Sequence, residues 1–420
     1  MASEIKAIKC PQCGSTQQTE IRRNYFRCNS CRTEYFVNNE NDITITHKYD
    51  IPNNTPQLKK TGITIAIVAG SIIFLSILSS LLFSHESKSN ITANKEKTFK
   101  WDYDTRSFGF ESINKQSIFV AVGTAQTNDR ASDTKNLLAG FYDAISGKEI
   151  KKQELTISVK RNDDRNVEFR RFENGDCYCI FNKKKLLKVD RQYINIEEAP
   201  FNAYKEIQEL DAGIAQIEFL YKDYGDGFKI LTNEGKFIDY YPIIQKAFSA
   251  KEISDFRDKA STLPYNATVK TAFKFSGGTP DKIQLIKYKY KGAVGYPKNT
   301  PWFDRTDDGK IFIRGQGERF VSYADFMPGR LYFNSTVLAY NEQQVVISFR
   351  SSPAEDAPLF IQALDANTAQ ILWTTPVNDK IYVYDDSFIT NSGYFIRGNI
   401  YNLFIDKNGK IINRFNPRNL

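Results

Sequence analysis

The most constraining feature of this 420-residue sequence is the apolar run at residues 61–83, which contains no charged side chain. As an α-helix that rises about 1.5 Å per residue, such a run would cross a hydrocarbon core of about 30 Å. The run is a poor match to a cleaved signal peptide, because about sixty residues precede it and it is longer than the apolar core of such a peptide. A buried helix in a soluble protein is the alternative, but Ile, Leu, Val and Phe occur all round the helix. The sequence therefore predicts a single membrane span between a short head and a long body.

The head contains four of the six cysteines, as two C-x2-C pairs with fourteen residues between them. The pairs are Cys10 with Cys13 and Cys28 with Cys31, and a short hairpin is predicted between them. This arrangement resembles a zinc ribbon. The resemblance implies one structural zinc held by all four thiolates, which leaves no open position for catalysis. An iron site of the rubredoxin type and a redox dithiol remain as alternatives.

The orientation of the predicted span rests mainly on these thiols. Three Lys or Arg residues lie within fifteen residues of each end of the apolar run, so the positive-inside rule hardly discriminates. Paired thiols persist most easily in a reducing compartment. We therefore expect a cytoplasmic N-terminus and an extracytoplasmic body.

The body is predicted to be mainly β, and it repeats one turn pattern. The chain is rich in Phe (31) and Tyr (23), which suit sheets. Apolar pairs followed by a polar turn and a further apolar pair occur around residues 147, 235, 369 and 409. The spacings are near multiples of about 44 residues, a period typical of propellers. Further turns are then expected near residues 191, 279 and 324.

The stretches YDAISGKEI and LDANTAQILW resemble turns of quinoprotein-like (PQQ-type) and WD40-like propellers. The resemblance implies a β-propeller of about seven blades over most of the body. The expected division is a zinc ribbon at 1–37, a linker at 38–60, the transmembrane helix at 61–83, a juxtamembrane linker at 84–99 and the propeller at 100–420. We expect the last strand, 411–415, to pair with a strand between about 99 and 122 and so close the ring.

Two short helical insertions are expected within the propeller. Residues 200–210 place apolar side chains at helical spacing. Ser249 and Glu252 form the sequence signature of a capping box, which predicts that a helix begins there. Both helices are interpreted as insertions between blades.

The body contains few candidates for chemistry. Cys177 and Cys179 alternate in a predicted strand, so both face one side. We favour two small buried side chains over a redox or metal pair. Residues 304–308 could suggest a calcium loop, but a hairpin turn explains them better. His47 and His85 are the only histidines and lie near the apolar run, so no histidine-based mechanism is available within the propeller.

These observations favour a membrane-anchored binding or scaffold protein over an enzyme. We expect a protein partner or a small ligand at the propeller face. A nucleic-acid partner is not expected, because the net charge of +8 is spread along the chain. The first alternative is a transmembrane sensor, in which the propeller binds a ligand and the ribbon reports it. The second is a quinoprotein-like enzyme, although Tyr178 separates two cysteines that such an enzyme would carry side by side.

Overall fold

A computed structural model describes residues 10, 15–22, 25–30, 34–37, 43–45, 99–126, 134–160, 165–199, 210–277, 283–306, 310–315, 317–354, 356–377 and 381–420. The predicted transmembrane helix at 61–83 lies outside these residues, as do residues 200–209 of the first predicted helical insertion. Within the described ranges, no helix is long and apolar enough to cross a membrane.

The head contains a four-stranded antiparallel meander in the order β1-β2-β3-β4. Its strands are β1 (Gln18–Arg22), β2 (Tyr25–Cys28), β3 (Glu34–Val37) and β4 (Ile43–Ile45). The hairpin predicted between the cysteine pairs corresponds to β1 and β2. Strand β4 lies in the segment that was predicted as a linker.

The described residues of the body form six antiparallel sheets of three or four strands, which we call blades I to VI, and one separate two-stranded hairpin. Blade I consists of β5 (Arg106–Glu111), β6 (Ser117–Gly123), β7 (Thr134–Asp143) and β8 (Glu149–Lys160). Blade II consists of β9 (Val167–Arg171), β10 (Cys177–Phe181), β11 (Lys185–Asp190) and β12 (Asn195–Glu198). Blade III consists of β13 (Ile214–Phe219), β14 (Phe228–Thr232), β15 (Phe237–Tyr241) and β16 (Lys246–Ser249).

Blade IV departs from this scheme, because its sheet has three strands: β17 (Thr268–Phe275), β18 (Leu285–Gly292) and β21 (Phe320–Asp325). A separate hairpin, β19 (Trp302–Arg305) with β20 (Ile311–Arg314), interrupts it. Blade V consists of β22 (Phe333–Tyr340), β23 (Gln344–Arg350), β24 (Leu359–Asp365) and β25 (Ile371–Val377). Blade VI consists of β26 (Val383–Ile389), β27 (Gly393–Gly398), β28 (Asn402–Asp406) and β29 (Ile411–Phe415).

The first strand of each blade lies closest to the ring axis. Neighbouring first strands contact one another, as β22 does with both β17 and β26, and β5 does with β9. Second strands such as β6 are buried along their whole length, whereas the outer strand β8 alternates buried and exposed residues at its far end. The fold is therefore a six-bladed β-propeller.

The predicted number of seven blades is wrong because the period of about 44 residues mixed different hairpins. Gly147 joins the third and fourth strands of blade I, but Gly235 joins the second and third strands of blade III. Both residues have a positive φ (71° and 82°), which any tight hairpin can require. The turns expected near 279 and 324 both fall in blade IV, the first between β17 and β18 and the second within β21, because the inserted hairpin lengthens this blade. One blade was thus counted as two.

The predicted closure of the ring by strand exchange is also wrong. Strand β29 forms the outer edge of blade VI and pairs with β28. Blade VI instead meets blade I through side chains, where Phe415 stacks on Phe119 with 4.6 Å between ring centroids. Asn402 Nδ2 donates to the Ser107 carbonyl at 3.0 Å in the same interface. Aromatic packing joins the first and last blades where we expected shared backbone hydrogen bonds.

The second predicted helical insertion is confirmed. Helix α1 (Ala250–Asp258) follows β16 directly, and Ser249 is its N-cap. Glu252 N donates to Ser249 Oγ, and the Glu252 carboxylate accepts from Ser249 N at 2.9 Å, so the capping box is complete. Three short 3-10 helices occur among the described residues: Lys222–Tyr224, Ala260–Thr262 and Pro417–Asn419.

Candidate functional site

The described residues include two of the four predicted zinc ligands. Cys10 and Cys28 are buried, with 1% and 0% of their surface exposed, and Cys13 and Cys31 lie outside the described residues. Across the ranges that are described, no group of three or more His, Cys, Asp and Glu residues could hold a metal ion. Structural zinc on the head therefore stays a prediction. Cys10 and Cys28 belong to the same hydrophobic cluster as Phe273 and Leu285 of blade IV.

Cys177 and Cys179 are core residues of blade II. Both are buried in β10 and pack in the cluster that blades I, II and VI share. Burial raises the pKa of Cys177 to about 12 and raises that of Cys179 as well, so both are protonated near neutral pH. Thiols in this state are poor nucleophiles. The interpretation as two small buried side chains is confirmed.

The sequence stretch interpreted as a possible calcium loop forms the β19–β20 hairpin. Asp304 pairs with Phe312 across it, and the Asp304 carboxylate accepts a hydrogen bond from Arg314. Residues 307–309 at its tip lie outside the described residues. The two flanking strands agree with the hairpin interpretation.

The most unusual polar feature of the propeller is a loop of blade III that reaches across the ring axis. Lys222 lies in the loop between β13 and β14, and its Nζ is 2.6 Å from Asp386 and 3.3 Å from Asp385. Both aspartates lie on β26 of blade VI, three blades away in a ring of six. An ion pair between opposite blades can form only across the axis. Lys222 therefore lies near the ring axis and connects the two opposite blades.

The axial ion pair is part of a larger network. The Arg397 guanidinium donates to the same Asp386 carboxylate, and Arg170 of β9 donates to the carbonyl of Leu220, the first residue of the loop. Burial lowers the pKa of Lys222 to about 8, although Asp385 acts in the opposite direction. Burial also lowers the pKa of Arg170 and Arg397. Cationic and anionic groups thus crowd together at the axis in a partly desolvated site.

The network continues from the loop to blade IV. Asp223 follows Lys222, and its carboxylate lies 3.3 Å from Lys274 Nζ on β17. The same ammonium group lies 4.1 Å from the centre of the Trp302 ring, which is a cation–π contact. The Asp223 carbonyl accepts from Thr300 N at 3.2 Å, which fixes the strand that carries Trp302. A continuous set of contacts therefore links blade VI to blade IV through the loop.

Exposed aromatic side chains accompany this network. Tyr221 is 78% exposed, Trp302 56% and Tyr384 43%. Tyr384 lies beside Arg397, with 5.6 Å from the guanidinium carbon to the ring centre. We call Tyr221, Lys222, Trp302, Tyr384 and Arg397 the axial surface. It combines large, rigid aromatic groups with charges that intramolecular partners already hold in place.

A polar cleft lies beside the axial loop, between blades II, III and IV. Its lining includes Glu173, Asp226, Lys270, Tyr290 and Lys298. The Lys270 ammonium donates to the Glu173 carboxylate, and Glu173 N donates to Asp226 at 2.5 Å. Burial lowers the pKa of Lys298, but Tyr290 and Asp226 are among the neighbours that raise it, and the net shift is upward. These contacts join neighbouring blades, and acidic and basic groups of the cleft neutralise one another.

Sequence reasoning missed the axial surface. Asp385 and Asp386 are adjacent acids that begin no turn, and Tyr221 to Asp226 is an unusually polar loop within a blade. Both are detectable signals. Their meeting across the ring depends on blade III standing opposite blade VI, which requires the correct number of blades.

Comparison with known proteins adds little to this geometry. No family model matches the sequence, and no curated protein matches it. One similar solved structure is described as "YCF48 bound to D1 peptide", with 12% identity, a TM-score of 0.28, and coverage of 71% of this chain and 94% of that one. Another is a protein of unknown function from Bacteroides caccae, with 10% identity, a TM-score of 0.22, and coverage of 65% and 95%. The protein's class, a six-bladed β-propeller, follows from its own sheets.

Proposed function

We propose that this protein is a binding module, not an enzyme, and that a partner protein docks on its axial surface. The observation that carries the proposal is the exposure of Tyr221, Trp302 and Tyr384 around a partly buried charge network. Tyr, Trp and Arg are enriched among residues that dominate binding energy in protein interfaces. Aromatic side chains of this kind provide a large contact area while only two side-chain torsions become ordered on binding.

The axial carboxylates suit positioning better than catalysis. Asp386 is held by both Lys222 and Arg397, so its charge is compensated. A general acid or base needs an approachable proton near the reacting atom. Groups that span the axis and bond to one another hold the loop in place and present its aromatic side chains.

The experiment is in-cell cross-linking followed by purification of the full chain in mild detergent. We expect the Tyr221→Ala and Trp302→Ala variants to lose a stoichiometric partner that the unmodified chain retains. Tyr193→Ala is the matched control, because Tyr193 is 66% exposed in the last turn of blade II, between β11 and β12. A partner retained equally by all three variants would refute docking at the axis.

The proposal includes a membrane anchor at residues 61–83, a cytoplasmic zinc ribbon and an extracytoplasmic propeller. Its support is the uncharged apolar run and the cysteine spacing. A span at this position would hold the head and blade IV on opposite sides of the membrane. In a chain inserted in this way, Cys10 and Cys28 could not share a hydrophobic cluster with Phe273. Protease protection in sealed vesicles separates the two arrangements, since a spanning chain exposes the head or the propeller but never both.

Deletion of residues 1–37 separates a scaffold from a sensor. A scaffold keeps its partner on the propeller after this deletion. Loss of cellular function with partner binding intact would support the sensor instead.

A further inference from the structure

Among the described residues, blade IV has three strands in its sheet, whereas every other blade of this ring has four. Strand β21 occupies the third position, pairs with β18, and has no neighbour on its other side among the described residues. After β18 the chain leaves the sheet for the β19–β20 hairpin and returns as β21. It then continues to the first strand of blade V. The fourth position of blade IV is therefore vacant in the described structure.

The vacant position is bordered by an accessible edge. Four consecutive residues of β21, from Val321 to Ala324, are exposed. The Phe326 N–H donates to the Leu285 carbonyl on the β18 side at 2.7 Å. Because successive residues of a strand alternate in the direction of their hydrogen bonds, the backbone groups of Tyr323 and Asp325 point away from β18. These groups can bond to a further strand.

Strand β21 also lacks the devices that protect the other outer edges. Charged side chains and proline discourage edge-to-edge pairing. Each of the other five outer strands carries Lys, Arg, Glu or Pro, namely β8, β12, β16, β25 and β29. Strand β21 carries none of these, and its single charge is Asp325 at its last position. A bulge opposite Lys289 and Tyr290 interrupts only the beginning of the strand.

The neighbouring strand determines which peptide would fit. Lys287 lies opposite Ala324 and Lys289 lies opposite Ser322, so these side chains share one face of the sheet. Lys291 is on the same face by alternation, and both Lys289 and Lys291 are exposed. Burial, and after it the charge of Lys289, lowers the pKa of Lys287. The Lys287 ammonium donates to the Ala366 carbonyl of blade V at 2.6 Å, so Lys289 and Lys291 are the accessible cations of this face.

The opposite face of the edge is aromatic. Tyr323 lies opposite Tyr288, and its ring is 5.8 Å from that of Phe303 on the inserted hairpin. Tyr323 remains 40% exposed. A strand added beside β21 would lie two strand spacings, about 10 Å, from β18. Alternate residues would therefore reach toward the lysines past the small side chains of Ser322 and Ala324, and the residues between them would lie beside Tyr323.

We propose that the edge of β21 binds an extended peptide of a partner protein, in which acidic residues alternate with apolar ones. Backbone hydrogen bonds to β21 provide the affinity, as in other cases of strand addition. The acidic side chains extend across Ser322 and Ala324 toward Lys289 and Lys291, and the apolar side chains lie beside Tyr323. This proposal is independent of the proposed function, because strand addition at β21 does not require a partner on the axial surface.

The test measures binding of a fluorescent octapeptide of alternating Glu and Val to the full chain in mild detergent. The K289E/K291E variant should bind about 10-fold more weakly, because repulsion replaces two exposed ion pairs. The K407E/K410E variant, with the same change in net charge on the last hairpin of blade VI, should bind normally, as should Tyr221→Ala. An octapeptide of alternating Lys and Val should not bind.

Hydrogen exchange provides the second readout. Peptide binding should slow exchange in residues 320–326 and leave the outer strand β29 unchanged. Equal affinity of K289E/K291E and the unmodified chain would overturn the proposal. Slow hydrogen exchange of the 320–326 amides in a dimer without peptide would also overturn it, because a second copy of the chain would then occupy the edge.

Discussion

Replacing Phe415 by alanine tests how the ring is closed. Phe415 is 2% exposed, stacks on Phe119 and lies 5.0 Å from the Tyr142 ring. Removing a buried Phe side chain costs about 3–5 kcal/mol. Because Phe415 ends the last strand, its surroundings can partly collapse, and we expect a loss of about 3 kcal/mol in the free energy of unfolding. This is a large share of the roughly 5–15 kcal/mol that stabilises a folded domain.

The assay is urea unfolding of the full chain in mild detergent, with tryptophan fluorescence as the readout. Trp101 reports on this region, because its Nε1 donates to the Tyr142 hydroxyl at 2.9 Å. Phe237→Ala is the control, since Phe237 is 57% exposed and surface changes usually stay within about 0.5 kcal/mol. Hydrogen exchange of the Phe415→Ala variant should increase in β6 and β29 together. Equal stability of the two variants, or faster exchange in β29 alone, would refute closure through this aromatic contact.

Three further predictions address the same interface, the axis and the head. Gly109→Ala should cost about 1–3 kcal/mol in urea unfolding, because its Cβ would lie 2.2 Å from the Phe395 ring, and Phe395→Leu should recover part of the loss. Lys222 has a folded pKa near 8, below its unfolded value, so the free energy of unfolding should rise between pH 8 and about 10.5. Lys222→Met should lack this rise, and equal pH dependence would contradict the assignment. Cys10→Ser should release zinc from the head, measured by metal analysis, without changing propeller melting; joint unfolding would contradict independent domains.

The sequence was sufficient for the class of fold because turn chemistry is local. Asp143 Oδ1 accepts from Ser146 N at 2.7 Å, and Asp365 Oδ1 accepts from Thr368 N at 2.8 Å. Asp406 Oδ1 accepts from Asn408 N at 2.9 Å in the corresponding turn of blade VI. These aspartates begin the turns between the third and fourth strands of three blades, and a short sequence window contains everything they need. The repeated turns therefore predicted hairpins correctly.

The number of blades depends on information that a turn does not contain. A turn of this kind joins any two adjacent strands, so its position within a blade is ambiguous. Helix α1 and the β19–β20 hairpin also lengthen the spacing between blades by different amounts. Counting by a fixed period fails when insertions vary.

The candidate site depends on contacts between distant parts of the chain. Lys222 and Asp386 are far apart in sequence and meet only because blades III and VI face each other. Likewise, Trp302 on the inserted hairpin acquires its cation–π contact from Lys274 of β17, which belongs to a different sheet. Local patterns cannot reveal such pairs before the order and number of blades are known.

The most direct test of the central claim is photo-cross-linking from the axial surface in intact cells. A photoreactive amino acid replaces Tyr221 in one full-length variant and Tyr193 in another. The account predicts that a defined protein partner is captured from position 221 and not from position 193. Capture of the same partner from position 193 with none from position 221 would contradict the account.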